Sequence, residues 1–254
     1  MRTLYSAFVL LTLLSSCDSE TTPEPGLPIT GRIQVQALES RGVQGRALFL
    51  TFHDEGLYPC SNYGLITDYQ RSGSQLSFVF SGVAEPTGIC LTATGTARAQ
   101  VDITNLPQGT YPLRLQVGSR TTTGVLELQS SYVRLQTDNP NLVQVTQPEL
   151  RLMPPNLVWG DATTGLPADQ ASGEVLRDSL QQLGATPTTL PPGTYTRFTI
   201  AANGLLQPPV VPNGYRALLF LATYSGSPER IQAFVRRRNA ATPGLNLHLN
   251  TSAQ

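Results

Sequence analysis

Short runs in which apolar and polar residues alternate fill the chain from Arg32 to about Thr137. A period of two is typical of strands that bury one face and expose the other. The runs recur about every ten residues between turn residues, which is the spacing of small all-β domains, and no window there has a helical period. Their apolar members are Ile33, Val35, Ala37, Leu76, Phe78, Phe80, Val101, Ile103, Leu113, Leu115, Val117, Val125, Leu126 and Leu128, with a last run at Tyr132 to Thr137. The pattern predicts a mainly β fold of roughly seven or eight strands in an antiparallel β-sandwich.

The pattern changes after Thr137, where prolines become frequent and the only tryptophan, Trp159, occurs. We therefore place a domain boundary between residues 148 and 149. The first helical period beyond it runs from about Gln170 to Leu183. Its predicted inward residues and caps are Val175, Leu176, Leu180 and Leu183, with Asp169 or Ser172 as the N-cap and Gly184 as the C-cap.

A second helix is predicted to begin at Ser227-Pro228-Glu229, with a serine N-cap and a proline in the first helical position. It would turn Ile231, Phe234 and Val235 inward. Strand candidates flank both helices at residues 157–159, 195–201, 216–224 and 245–249. The order strand, helix, strand, strand, helix, strand predicts a smaller α+β domain over residues 149–254 that fits a split β-α-β module.

One turn in the β region has a distinctive sequence, Leu106-Pro107-Gln108-Gly109-Thr110-Tyr111-Pro112-Leu113. It resembles the tyrosine corner of immunoglobulin-like domains, in which a tyrosine at the start of a strand donates a hydrogen bond back across the connection. The resemblance implies an immunoglobulin-like β-sandwich over residues 31–148. Leu190 to Tyr195 repeats the form of the turn, which we interpret as a recurring turn and not as a duplicated domain.

The amino terminus is typical of an exported chain. Arg2 precedes an apolar run from Leu4 to Leu14, which is too short to cross a bilayer as a helix. Leu14-Ser15-Ser16-Cys17 then resembles the lipobox of bacterial lipoproteins, in which the signal peptide, here residues 1–16, is removed and the cysteine receives acyl chains such as palmitate. The resemblance implies a permanent membrane anchor on Cys17, and the alternative is a plain signal peptide cut nearby.

Residues 17–30 combine this cysteine with an acidic stretch rich in threonine and proline, and we interpret them as a flexible tether. The chain would then belong to the cell envelope. Acidic residues directly after the cysteine are similar to retention signals in some bacteria and to export signals in others, and we favour the outer membrane over the inner one.

The composition narrows the range of functions. Basic and acidic residues number 17 each, and every basic residue is an arginine. Chemistry that needs a lysine amine is therefore excluded, and the neutral balance argues against a nucleic-acid partner. No familiar catalytic, dinucleotide-binding or calcium-binding motif is present, so we predict no cofactor, no metal and no catalytic residue.

Several residues remain as candidates for a site. Cys60 and Cys90 are an even pair in an exported chain and predict a disulfide. His53-Asp54-Glu55 is the one place where a histidine adjoins two carboxylates, but its spacing is poor for a metal and we interpret it as a solvated turn. Arg236-Arg237-Arg238 is interpreted as the basic end of a helix. Possible ligand-binding aromatics are Tyr58, Tyr63, Tyr69 and Trp159, for which burial in a core is the alternative.

These observations favour a lipid-anchored, non-catalytic binding module for a glycan or for another envelope protein. Two alternatives stay open. One is a structural or assembly accessory subunit of an envelope complex, and the other is a glycan hydrolase that uses two carboxylates, since such pairs need no local motif.

Overall fold

The computed structural model describes residues 26–42, 45–90, 93–165 and 170–252. The predicted signal peptide, Cys17, most of the tether and Asp169 lie outside these residues. The described chain is mainly β, with one sheet of ten strands, one of four strands, a two-stranded hairpin and two helices.

Ten strands form the first unit, and alternating burial along them matches the alternation in the sequence. On β4, for example, Leu76, Phe78 and Phe80 are completely buried. The strands are β1 (Ile33–Gly42), β2 (Gly45–Asp54), β3 (Gly64–Ser72), β4 (Gln75–Ala84), β5 (Arg98–Asp102), β6 (Gly109–Val117), β7 (Arg120–Leu128), β8 (Tyr132–Thr137), β9 (Val143–Gln147) and β10 (Glu149–Arg151).

The sheet is mixed, so the prediction of an antiparallel arrangement is wrong. The strand order is β10-β8-β7-β6-β4-β3-β5-β2-β1-β9. Strands β4 and β6 are parallel, as are β1 and β9, and β3 meets β5 in parallel through one residue pair, Gly64 with Arg98. Side-chain alternation is the same in parallel and antiparallel strands, which is why the sequence pattern does not reveal direction. An immunoglobulin-like sandwich is not confirmed.

The two ends of this sheet meet in one stretch of chain. Strand β9 pairs with β1 and β10 pairs with β8, and only Pro148 separates β9 from β10. The Pro148 carbonyl accepts a hydrogen bond from the amide of Leu135, 2.8 Å away. The sheet thus closes around a single apolar core, which leaves little exposed strand edge.

The second unit contains β11 (Leu157–Gly165), α1 (Gln170–Gln182), β12 (Thr186–Pro187), β13 (Gly193–Thr194), β14 (Thr199–Ile200), β15 (Tyr215–Thr223), α2 (Pro228–Ala241) and β16 (Leu245–Thr251). Its sheet has the order β12-β15-β11-β16. Strand β11 is antiparallel to both neighbours, β15 and β16. Strands β15 and β16 therefore run in the same direction on either side of β11, and α2 connects them. This is the connectivity of a split β-α-β module.

Both helices occur where the periodicity predicts them, with two corrections at α1. Val175 is 53% exposed, so its predicted inward position is wrong, and Ser172 lies inside the helix and not at its cap. Leu176 and Leu180 are buried as expected. Gly184 ends the helix with a φ of +98°, and its amide and that of Ala185 bond back to Gln181 and Leu180, which is a Schellman motif.

Helix α2 follows its predicted start. Ser227 precedes Pro228 at the first helical position, although the serine side chain makes no capping hydrogen bond. Ile231 and Phe234 are buried against the sheet, and Val235 packs beside them. The helices cover one face of the four-stranded sheet, while a second small core that includes Trp159, Tyr195 and Ile200 covers the other.

The two related turns have the same hydrogen bond. The Tyr111 hydroxyl donates to the carbonyl of Pro107 at 2.6 Å, and the Tyr195 hydroxyl donates to the carbonyl of Pro191 at 3.0 Å. One turn enters a long strand of the first unit and the other enters the short hairpin of the second. The repeated sequence is therefore a recurring turn that the chain uses in two different structural contexts, as the sequence analysis predicted.

Candidate functional site

The predicted disulfide between Cys60 and Cys90 is confirmed, with 5.4 Å between the two Cα atoms. It joins the loop before β3 to the loop after β4, so it fixes one end of that hairpin. The stretch from Ser61 to Tyr69, which the sequence suggested as a pinned loop, is strand from Gly64 onward.

Removing this disulfide is expected to destabilise the chain. The cysteines are 30 residues apart, so on the chain-entropy model a Cys60→Ala/Cys90→Ala variant should lose about 3.5 kcal/mol of unfolding free energy. Urea unfolding of the variant, compared with reduced and oxidised wild type, measures the loss. Equal midpoints for the variant and the oxidised wild type would contradict it.

Two of the candidate tyrosines are core residues. Tyr58 and Tyr63 are 6% and 9% exposed, and their rings stack with 5.0 Å between centroids. The Tyr58 hydroxyl donates to Oδ2 of Asp54. In this arrangement neither ring presents a free face to a ligand.

Asp54 is completely buried, so the interpretation of His53-Asp54-Glu55 as a solvated turn is wrong for its central residue. Besides Tyr58, the carboxylate accepts the amides of Thr30, Gly31 and Gly56 at 3.0 to 3.3 Å. It thus ties the incoming segment to the end of β2. The alternation Leu48, Leu50, Phe52, Asp54 places the carboxylate on the inward face, and this is the sequence signal that identifies it.

The neighbours of Asp54 face elsewhere. Glu55 forms an exposed ion pair with Arg32 at 2.6 Å, and the second histidine, His248, lies on β16 of the other unit. Within the described residues, no group of three or more His, Cys, Asp or Glu side chains could hold a metal ion.

We expect the other member of the triplet, His53, to make the stability of the fold depend on pH. Burial, and then the charge of Arg98 on the neighbouring strand, lower the pKa of His53. The unfolded chain therefore binds the proton more readily than the folded chain. The free energy of unfolding should therefore fall as the pH is lowered from the ordinary histidine pKa of about 6.5 to the lowered pKa of the folded state. Below that lower pKa it should fall no further through this group.

A His53→Gln variant should show a weaker pH dependence, measured as urea midpoints at about pH 7.5 and about pH 5.5. His248→Gln is the matched control, because His248 is exposed. If His53→Gln and wild type lost the same stability over this interval, the assignment would be wrong.

Tyr69 differs from the other tyrosines because it borders a cleft. Beyond the single pair Gly64–Arg98, strands β3 and β5 separate, and a cavity of about 310 Å³ opens between them. Its lining is Tyr69, Arg71, Asp102, Ile103, Asn105 and Leu106, which we call the Tyr69 cleft. Tyr69 is half-buried, and its ring stacks on Phe78 with 5.0 Å between centroids.

The polar groups of the Tyr69 cleft have defined states. Burial raises the pKa of the Tyr69 hydroxyl, so this group stays protonated and can donate. Hydrogen bonds from Thr104 lower the pKa of Asp102, which keeps its carboxylate ionised as an acceptor. The Arg71 guanidinium donates to the carbonyl of Gly73 and lies 5.9 Å from the ring centroid of Tyr111. An aromatic ring, a carboxylate, a guanidinium and an amide therefore meet in one cleft.

Trp159 is 6% exposed and packs against Phe198, with 5.3 Å between ring centroids. It belongs to the small core of the second unit, and part of it borders a cavity between the two units.

The run Arg236-Arg237-Arg238 lies in the last part of α2. Arg238 reaches across to α1, where it donates to the hydroxyl of Ser179, and its guanidinium lies 5.4 Å from the ring centroid of Phe234. This arginine thus connects the two helices.

Comparison with known protein families, with curated proteins and with solved structures found no match. Neither α1 nor α2 has the length and apolar character needed to cross a membrane, and the described residues contain no other helix.

Proposed function

We propose that the protein is a non-catalytic binding module of the cell envelope that holds a glycan in the Tyr69 cleft. The observation that carries the proposal is the separation of β3 from β5, which opens the cleft beside an aromatic ring and three kinds of polar side chain. Aromatic faces pack against the C–H faces of sugars, and a few convergent polar groups fix their hydroxyls.

The content of the cleft favours binding over hydrolysis. A typical glycan hydrolase uses two carboxylates, one as acid and one as base or nucleophile. The cleft lining contains one carboxylate, Asp102. A protein partner in place of a glycan is the alternative outcome of the binding experiment below.

The membrane anchor is part of the same proposal and is supported by the leader sequence alone. A lipid on Cys17, followed by the tether, would hold the body at the membrane surface, with the outer membrane favoured. Wild-type cells should incorporate labelled palmitate into the protein, and cells with Cys17→Ser should not. Equal labelling of both chains would contradict the anchor.

The binding proposal is tested by screening the protein against an array of polysaccharides and against a solubilised envelope extract. Saturable binding of a glycan should weaken by about tenfold or more in Tyr69→Ala, because stacking on the ring is lost, and should also weaken in Asp102→Asn. Tyr215→Ala is the matched control, since Tyr215 is an exposed tyrosine on β15 outside the cleft.

Thermal unfolding of each variant shows whether it is folded. Full retention of glycan binding by folded Tyr69→Ala would exclude this cleft. Capture of one envelope protein, with no glycan bound, would replace the proposal with that of an accessory subunit.

A further inference from the structure

A separate cavity lies where the ten-stranded unit meets the four-stranded unit. Its volume is about 260 Å³, and its lining is Arg41, Met153, Trp159, Arg197, Asn250 and Thr251. We call it the junction cavity. Two of its six lining residues are arginines and none is acidic.

Arg41 is held in place by a buried carboxylate. Glu39 is 1% exposed, and its Oε1 accepts Arg41 Nε at 2.9 Å and Arg46 Nε at 2.8 Å. Its Oε2 accepts the amide of Met153 at 2.7 Å. The carbonyl of Met153 in turn accepts Nη2 of both arginines. Because these bonds fix the guanidinium of Arg41, a ligand in the cavity meets a positioned charge.

Arg197 reaches the cavity by a different route. The amide of Glu39 donates to the hydroxyl of Thr196 at 3.0 Å, which docks the turn between β13 and β14 beside β1. The next residue is Arg197, which is exposed. It makes no ion pair or side-chain hydrogen bond with another described residue. The same buried glutamate therefore places one fixed and one unpaired guanidinium at a common cavity.

The charges at the junction do not balance. Arg41, Arg46 and Arg197 supply three positive charges, and among the described residues Glu39 supplies the one carboxylate that pairs with any of them. Trp159 and Asn250 pair across β11 and β16 and complete the lining with an aromatic edge and an amide. We propose that the junction cavity binds an oxyanion, which is a carboxylate, sulfate or phosphate group. Guanidinium groups match these planar or tetrahedral acceptors by charge and by hydrogen-bond geometry.

The site is distinct from the Tyr69 cleft, so this inference does not rest on glycan binding there. The shared chemistry is an oxyanion, and the source is either a free inorganic ion or an acidic sugar. Titration of the full-length chain with inorganic phosphate, inorganic sulfate and glucuronate separates these sources, with sodium chloride at equal ionic strength as the reference.

We expect saturable binding of at least one of the three probes, measured by calorimetry or by chemical-shift changes. In Arg197→Gln the affinity should fall by about tenfold, because a charge-assisted hydrogen bond is lost. Arg230→Gln is the matched control, since Arg230 is an exposed arginine of α2 outside the cavity. Both arginines are exposed, so neither change should alter the fold.

Absence of saturation with all three probes would overturn the proposal, and so would equal affinities of wild type and Arg197→Gln. Glucuronate binding that is tighter than that of the inorganic ions would assign the cavity to an acidic sugar. The reverse order would assign it to a free ion.

Discussion

Replacing Glu39 with alanine should lower the free energy of unfolding by about 3 to 5 kcal/mol, the range found when one partner of a buried ion pair is removed. The carboxylate is the acceptor for Arg41, for Arg46 and for the amide of Met153. Without it, two partly buried guanidiniums lose their counter-charge. The expected loss exceeds that of a surface ion pair because the Glu39 carboxylate is buried, and its bonds to two arginines and to the Met153 amide are lost together.

Urea unfolding followed by the fluorescence of Trp159, the only tryptophan, measures this loss near the junction. Glu55→Gln is the matched control, because Glu55 also pairs with an arginine but does so at the surface. Its midpoint should stay close to that of wild type. A Glu39→Ala variant as stable as Glu55→Gln would show that the buried carboxylate does not hold the junction.

Gly160→Ala should strongly destabilise the second unit. A Cβ at this position would lie 1.9 Å from the carbonyl oxygen of His248, and the φ of Gly160 is +153°. The contact is with backbone in the middle of the sheet, where β11 and β16 are paired, so no side chain can move aside. We expect a loss of at least about 3 kcal/mol, which is in the range of severe single substitutions.

Gly165→Ala on the same strand is the control for Gly160→Ala. A Cβ there would make only an ordinary contact of 3.8 Å with the ring of Tyr215. Near-ultraviolet circular dichroism and urea unfolding compare the two variants. Equal midpoints would mean that β11 and β16 are not as close as the structure shows.

The sequence predicts the local structure well where one face of an element is apolar. The alternation at Leu76, Phe78 and Phe80 and the periods of both helices correspond to observed elements. The disulfide was predicted because Cys60 and Cys90 form an even pair in a chain that we expect to be exported. The strands and helices depend on residues that are close together in the chain, so the sequence pattern is enough to predict them.

The two buried carboxylates were missed although the pattern contains them. Glu39 continues the inward alternation of Ile33, Val35 and Ala37, just as Asp54 continues that of β2. A charged residue in an inward register predicts a buried, paired group. Its partners do not follow from the pattern, because Met153 is 114 residues away from Glu39.

The sequence also predicts only part of the Tyr69 cleft. Tyr69 is identifiable as an aromatic in a tyrosine-rich stretch, and the structure separates it from Tyr58 and Tyr63, which are buried. Its cleft partners Asp102 and Asn105 are not identifiable, because they meet Tyr69 only through the position of β5 next to β3. Which strands become neighbours is a long-range property that alternation does not encode.

The central claim is that the Tyr69 cleft binds a glycan, and chemical-shift mapping tests it most directly. The isotope-labelled protein is titrated with the glycan that it retains best on the array. The account predicts saturable shifts of backbone amides confined mainly to residues 69–71 and 102–106, and their loss in Tyr69→Ala. Shifts centred on another part of the molecule, or no saturable shift with any glycan of the array, would contradict it.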